Sequence, residues 1–210
     1  MAYFYLMAQL PYLLYEQRPP MTSEAFISLC ESLLSRGDFK LLSGLSLDQQ
    51  SSSEGKKKRL QDEVVSGKVD GPSYARPALS TGCSFIDGWR EWERALRLNL
   101  AKNRAIKKER EDLILVEPPL IPMDAVNTAA KAVSSGISPL DGEILIDKAR
   151  WNVIDNLAGI DYFDRKNVFA YFLKLLLLER RQAFNAEKGF AEYKSLYASI
   201  IDSSIGNKSV

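Results

Sequence analysis

The 210 residues contain no histidine, so acid–base or nucleophilic work would fall to carboxylates, tyrosines, lysines and two cysteines. Without an imidazole no Ser-His-Asp or Cys-His relay can form, and the commonest proton carrier near neutral pH is missing. Two carboxylate pairs lie close in sequence, Asp141 with Glu143 and Asp161 with Asp164. Such pairs can hold a metal or divide acid and base roles. Each also flanks a predicted helix start, where negative charge meets the positive end of the helix dipole, and capping is the preferred reading. Cys30 and Cys83, with no histidine beside them, are too few for a tetrahedral zinc site. One disulfide between them is conceivable, but Cys30 falls in an apolar helical stripe, which predicts a buried, inert thiol. Neither a Gly-x-Gly-x-x-Gly pattern nor a Walker loop occurs. No catalytic, metal or cofactor site is therefore predicted.

Charge clusters offer contact rather than catalysis. Lys56 to Arg59 form an unbroken basic run, read as a solvated loop ahead of a nucleic-acid or acidic-partner contact. Lys102, Arg104, Lys107, Lys108 and Arg110 crowd a second stretch together with Glu109, Glu111 and Asp112. Glu179-Arg180-Arg181 close a long apolar segment, and two readings stay open: a structural ion-pair cluster, or a docking edge for an acidic partner. Lysine and arginine total 28 against 27 acidic residues, a net charge of +1 that provides no global attraction to DNA, RNA or anionic lipid.

The elements that would carry these groups read as helices. Hydrophobic residues make up 46% and charged residues 26%, the balance of a globular chain long enough for a sizeable core. Residues 3–15 are aromatic-rich and broken by Pro11, helical or extended. They lack a basic leader and a cleavage site, so a signal peptide is not predicted. A helix over Ser23 to Ser35, capped by Thr22 or Ser23, buries Phe26, Ile27, Cys30, Leu33 and Leu34, with Gly37 ending it and Asp38 capping a further turn. Residues 43–82 are a long polar stretch with Gly71-Pro72 and Arg76-Pro77. A helix from Ile86 to Leu115 carries Phe85, Trp89, Trp92, Leu96 and Leu100 on one face, then turns charged all round and points into solvent or at a partner. Glu93–Arg97 and Lys107–Glu111 are spaced as i,i+4 pairs on it.

An Ala-rich helix follows from Met123 to Ser135, stopped by Gly136. Ser138-Pro139 starts another, reaching Leu157, with Ile146, Ala149, Val153 and Leu157 inward and Gly159 after it. The next begins at Asp161 or Asp164 and runs to about Ala186. Val168 to Leu178 is apolar nearly all round, which makes it the central buried helix. Those 11 residues include Lys174, and a bilayer needs about 20 apolar residues, so no transmembrane span is predicted. A last helix carries Phe190, Tyr193, Leu196, Tyr197, Ile200 and Ile201 on one stripe, and the tail frays. Strand signals are limited to Tyr3–Ala8 and Leu113–Val116. The expected organisation is all-α, a multi-helix bundle with a long polar insert. Residues 1–43 form a helical segment packed on the main domain, 44–84 the insert, 85–205 the main domain, and 206–210 the tail.

Two stretches carry resemblances. The opening Tyr3-Phe4-Tyr5-Leu6, Leu10-Pro11-Tyr12-Leu13 and Pro19-Pro20, followed by Phe26 and Cys30, resembles an uncharacterised bacterial family encoded beside V-type ATPase subunits. The closing Phe169-Ala-Tyr171-Phe-Leu-Lys174-Leu-Leu-Leu-Leu-Glu179-Arg180-Arg181, then Lys188-Gly189 and an amphipathic helix, resembles the last part of the C-type stalk component of V/A-type ATPases, lettered d in eukaryotes. The order of residue types matches; the spacing from Tyr171 to the charged residues does not match strictly. That stalk component is longer and built of three related helical units, of which this chain can hold only part. The resemblance implies a non-catalytic part seating the central rotor stalk on the membrane ring. It also implies cytoplasmic placement, peripheral to the inner membrane through the ATPase complex, with no nucleic acid bound. The partner-binding candidates are Glu179, Arg180, Arg181, Lys188, Lys107, Lys108 and Arg110. The alternative is a helical nucleic-acid- or protein-binding module unrelated to the ATPase, using Lys56 to Arg59 and the basic residues between Arg90 and Arg110. A carboxylate-, Tyr- or Lys-based enzyme ranks last.

Overall fold

The computed structural model describes residues 2–47, 80–110, 117–134, 136–183, 190 and 193–197. Among them the regular elements are helical, with no strand. The longer helices are α1 (Ala2–Gln9), α2 (Ser23–Leu33), α3 (Arg36–Ser43), α4 (Ser84–Lys107), α5 (Met123–Val133), α6 (Pro139–Ala158) and α7 (Arg165–Ala183). Tyr3–Ala8, a strand candidate, lies inside α1. The other candidate, Leu113–Val116, and the Lys56–Arg59 run lie outside the described residues.

Helix starts follow their caps. Thr22 Oγ1 accepts the Ala25 N–H at 3.2 Å and opens α2. Ser138 opens α6 reciprocally: its hydroxyl accepts the Asp141 N–H at 3.1 Å and donates to the Asp141 carboxylate at 2.7 Å, while Pro139 sits at the first helical position. Ser35 and Asp38 repeat the arrangement at α3. This corrects the expected single turn after Gly37. Gly37 lies within α3, and Ser35 is the cap, because its hydroxyl captures an amide that Gly37 cannot.

Helix α4 stops eight residues before the expected Leu115. Glu109 adopts φ 54°, the Arg110 N–H donates to the Ala105 carbonyl at 2.9 Å, and the Glu109 N–H to Ile106 at 3.0 Å. Those two bonds close a Schellman cap in which a glutamate holds the position glycine usually fills. The paired residue Glu111 lies outside the described residues. The described edges of the expected insert, residues 44–47 and 80–84, include residues that pack inward. Leu45, Leu47 and Cys83 are buried, and Ser84 already belongs to α4, because apolar side chains at both edges reach the core.

The core forms around α7. Val168 to Leu173, Leu175, Leu177 and Leu178 are buried. Against it α6 packs on one side, α1 and α2 on another, and α4 more lightly. Phe26 of α2 stacks on Tyr171 and on Phe172, with ring centroids 5.1 and 5.9 Å away. The Tyr171 hydroxyl donates to the Pro11 carbonyl at 3.0 Å, fixing the chain after α1 to the core helix. Trp89 and Trp92 are buried and stacked at 5.9 Å, and Trp92 Nε1–H donates to Asp124 at 2.8 Å, joining α4 to the first turn of α5. A methyl group on Gly88 would sit 2.9 Å from Leu157 Cδ2, so a glycine lets α4 and α6 approach there. No helix among the described residues is long and apolar enough to cross a membrane.

Candidate functional site

Helix directions decide which charges meet. Gly88 faces Leu157 and Arg104 faces Glu143, so α6 runs antiparallel to α4. Lys174 pairs with Asp155 and Arg180 with Glu143, so α7 runs antiparallel to α6. Trp92 meets Asp124 at the start of α5, and Lys107 Nζ donates to the Val133 carbonyl at its end, at 3.0 Å, so α5 runs alongside α4. One end of the bundle therefore gathers the C-termini of α4, α5 and α7 with the N-terminus of α6. Carbonyl-rich helix ends favour cations. The last turns carry Arg104 and Lys107 on α4, Lys131 on α5, and Arg180 and Arg181 on α7.

Beneath this end runs a chain of alternating charges. Arg97 meets Glu93 at 3.1 Å. Arg150 grips Glu93 through Nε at 2.6 Å and a second nitrogen at 3.3 Å, and reaches Asp147 at 3.0 Å. Arg180 lies 3.6 Å from Asp147 and 2.9 Å from Glu143, which Arg104 approaches at 3.7 Å. Glu93, Asp147 and Arg150 are buried. Burial opposes the charge of Arg150, but Glu93 and then Asp147 overcome it and push the guanidinium pKa up. The two-pronged geometry is what makes a buried pair tolerable: desolvation is severe, and only close, fully bonded partners offset it.

Of the seven partner-binding candidates, five converge on this end. Lys107, Lys108 and Arg110 lie exposed at the tip of α4, while Arg180, half-buried, and Arg181, exposed, lie at the tip of α7. Arg180 belongs to the ion chain. Arg181 donates to the Tyr15 carbonyl at 3.0 Å and lies 4.7 Å over the Tyr15 ring. Glu179 turns the other way and accepts the Ser23 N–H of α2 at 2.6 Å. Lys188 lies outside the described residues.

Glu143 serves the ion chain rather than the helix cap, whereas Asp141 caps as expected. Asp161 and Asp164 accept backbone amides of Phe163 and Arg165 in the turn before α7. No group of acidic, cysteine or histidine side chains among the described residues is arranged to hold a metal. Cys30 and Cys83 are free and buried, and burial pushes the Cys30 thiol up to about 12.

Glu93, Asp147 and Arg150 were not among the sequence candidates, yet a signal was present. Glu93 falls on the Trp89–Leu96 stripe, and Arg150 between Ile146 and Val153 on the inner face of α6. Opposite charges centred in two apolar stripes predict each other.

The opposite end of the bundle, where α6 turns into α7, exposes apolar rings. Phe4 of α1 lies 4.3 Å from Phe163, Tyr162 contacts Phe163 edge-on at 5.4 Å, and Ile160, Tyr5 and Tyr12 are exposed nearby in sequence. Phe190, Tyr193, Leu196 and Tyr197, the described part of the last predicted stripe, are exposed as well.

These features define an all-helical bundle with a cationic end and an aromatic end. No protein-family model, curated protein or solved structure matches the chain.

Proposed function

We propose that the chain is a non-catalytic adaptor of a bacterial V-type ATPase, linking the central rotor stalk to the membrane ring. The observation carrying this reading is the convergence of three helix C-termini into one exposed cationic end, with Lys107, Lys108, Arg110 and Arg181 on a bundle braced by buried ion pairs. Helix ends are suited to meeting other proteins of a complex, and exposed guanidinium and ammonium groups select acidic surfaces. The likeness of the closing stretch around Tyr171 and Glu179-Arg180-Arg181 to the C-type stalk component of V/A-type ATPases supports the choice of complex. The chain would reach the inner membrane only through its partners.

The test is co-purification. An affinity-tagged chain expressed in its own host is expected to bring central-stalk proteins and the ring out of detergent-solubilised membranes. Lys107→Glu with Lys108→Glu is expected to weaken that recovery, most visibly at low salt. Repeated absence of ATPase proteins would end the reading. Salt-sensitive retention on DNA instead would favour the nucleic-acid-binding alternative.

A further inference from the structure

We propose that the cleft between Tyr15, the first turns of α6 and the end of α7 seats an acidic amphipathic segment of a protein partner. In this seat Arg181 grips a carboxylate, and Leu140 and Ile144 cover the apolar side chain beside it. The inference rests on the adaptor reading only in taking a protein as the occupant.

The cleft measures about 210 Å³ and is lined by Tyr15, Leu140, Glu143, Ile144, Asp147 and Arg181. Sites for whole small molecules run to roughly 300–1,000 Å³, so this one suits a side chain or two. Leu140 and Ile144 stand one turn apart on α6 and remain 54% and 43% exposed. Two apolar side chains left half in water beside a concavity are a contact surface without its cover.

The charges say what the cover carries. Both lining carboxylates are already matched. Glu143 has Arg180 at 2.9 Å and Arg104 at 3.7 Å; Asp147 has Arg150 at 3.0 Å and Arg180 at 3.6 Å. Arg181 is the surplus cation, since among the described residues its contacts are the Tyr15 carbonyl and ring. Tyr15 is itself held, its hydroxyl donating to the Ile144 carbonyl at 3.3 Å. Against the described residues the guanidinium is thus fixed in place, with N–H groups of its planar fork not used by them and suited to a carboxylate. Fixing it beforehand removes much of the ordering cost of binding. Exposed Arg104, Lys107 and Lys108 extend the same sign of field around the cleft.

The probe is a fluorescein-labelled, alanine-based helix with leucines at i and i+4 flanked by glutamates, titrated against the full chain by anisotropy. Wild type is expected to bind it with an affinity that falls as salt rises. Arg181→Ala and Leu140→Glu are each expected to raise Kd at least about tenfold, and Arg181→Lys to give an intermediate value. A peptide with lysine in place of glutamate is expected not to compete. Leu140→Glu alters an exposed position, so it keeps the result readable should Arg181→Ala loosen the fold. No binding of the glutamate peptide, equal binding of the lysine peptide, or indifference to both substitutions would overturn the inference. Any of these with ATPase co-purification intact removes the seat and leaves the adaptor. Substitution-sensitive peptide binding without co-purification keeps the seat and removes the ATPase.

Discussion

At the cationic end the last described turns of α4, α5 and α7 each carry a cation, and ion pairs descend from the surface to buried Arg150. At the aromatic end α6 passes into α7 through a short turn, and Phe4, Tyr162 and Phe163 lean on one another at the surface. The first end is held by directional contacts that lose heavily when one member is removed. The second is held by non-directional area, much of it still wet. Substitutions should therefore cost most where charge is buried and least where rings are exposed.

The sharpest break comes at Glu93→Ala. It takes from Arg150, whose side chain is 7% exposed, the partner that holds it at two points and leaves it Asp147 alone, and should lower unfolding free energy by about 3–5 kcal/mol in urea titration. Replacing Glu93 and Arg150 together by leucine and methionine should cost less, because the most buried charge pair leaves as a unit and Asp147 keeps Arg180 at 3.6 Å. Next, Ser138→Ala removes the cap that opens α6 at the cationic end, and should cost about 1 kcal/mol in the same titration. At the aromatic end a double-mutant cycle of Phe4→Ala and Phe163→Ala should return a coupling of about 0.5–1 kcal/mol. A coupling there matching the Glu93 loss would erase the contrast between the ends. Glu109→Gly should stabilise the chain, by about 0.5 kcal/mol, since φ 54° is strained for glutamate and free for glycine.

A further effect is one of pH. Tyr3 donates to Asp38, and burial, followed by that hydrogen bond, pushes its hydroxyl up to about 12. A group whose folded pKa is raised releases its proton sooner when unfolded, so stability is intact below about 10 and declines between 10 and 12. Tyr3→Phe should make that decline shallower by up to about one proton in the linkage slope. Asp38 has the opposite sign. Burial opposes its charge, but Tyr3, Ser35 and Arg165 overcome it and hold its carboxyl below the ordinary range, so its contribution is lost on acidification.

Much of the helical frame was legible because apolar period and caps agree. Thr22, Ser138-Pro139 and Gly159 mark their ends correctly, and the all-round apolar run Val168–Leu178 marks the central helix. The end of α4 was not legible, since no glycine or proline announces it and Glu109 enters the left-handed region through hydrogen bonds that only the folded chain supplies. Convergence of the basic residues was half legible. Local sequence put Lys107, Lys108 and Arg110 on one tip and Arg180 and Arg181 on another, but only the helix directions bring the two tips together. Tyr15, which positions Arg181, lies 166 residues away in the chain, a separation no periodicity reports.

The alternating charges that thread α4, α6 and α7 act as a key in a lock. An axial slip of one residue, about 1.5 Å, would break register at several guanidinium forks at once. Intermediate positions are therefore closed to these three rods. A twist applied to one should turn all three as a single shaft.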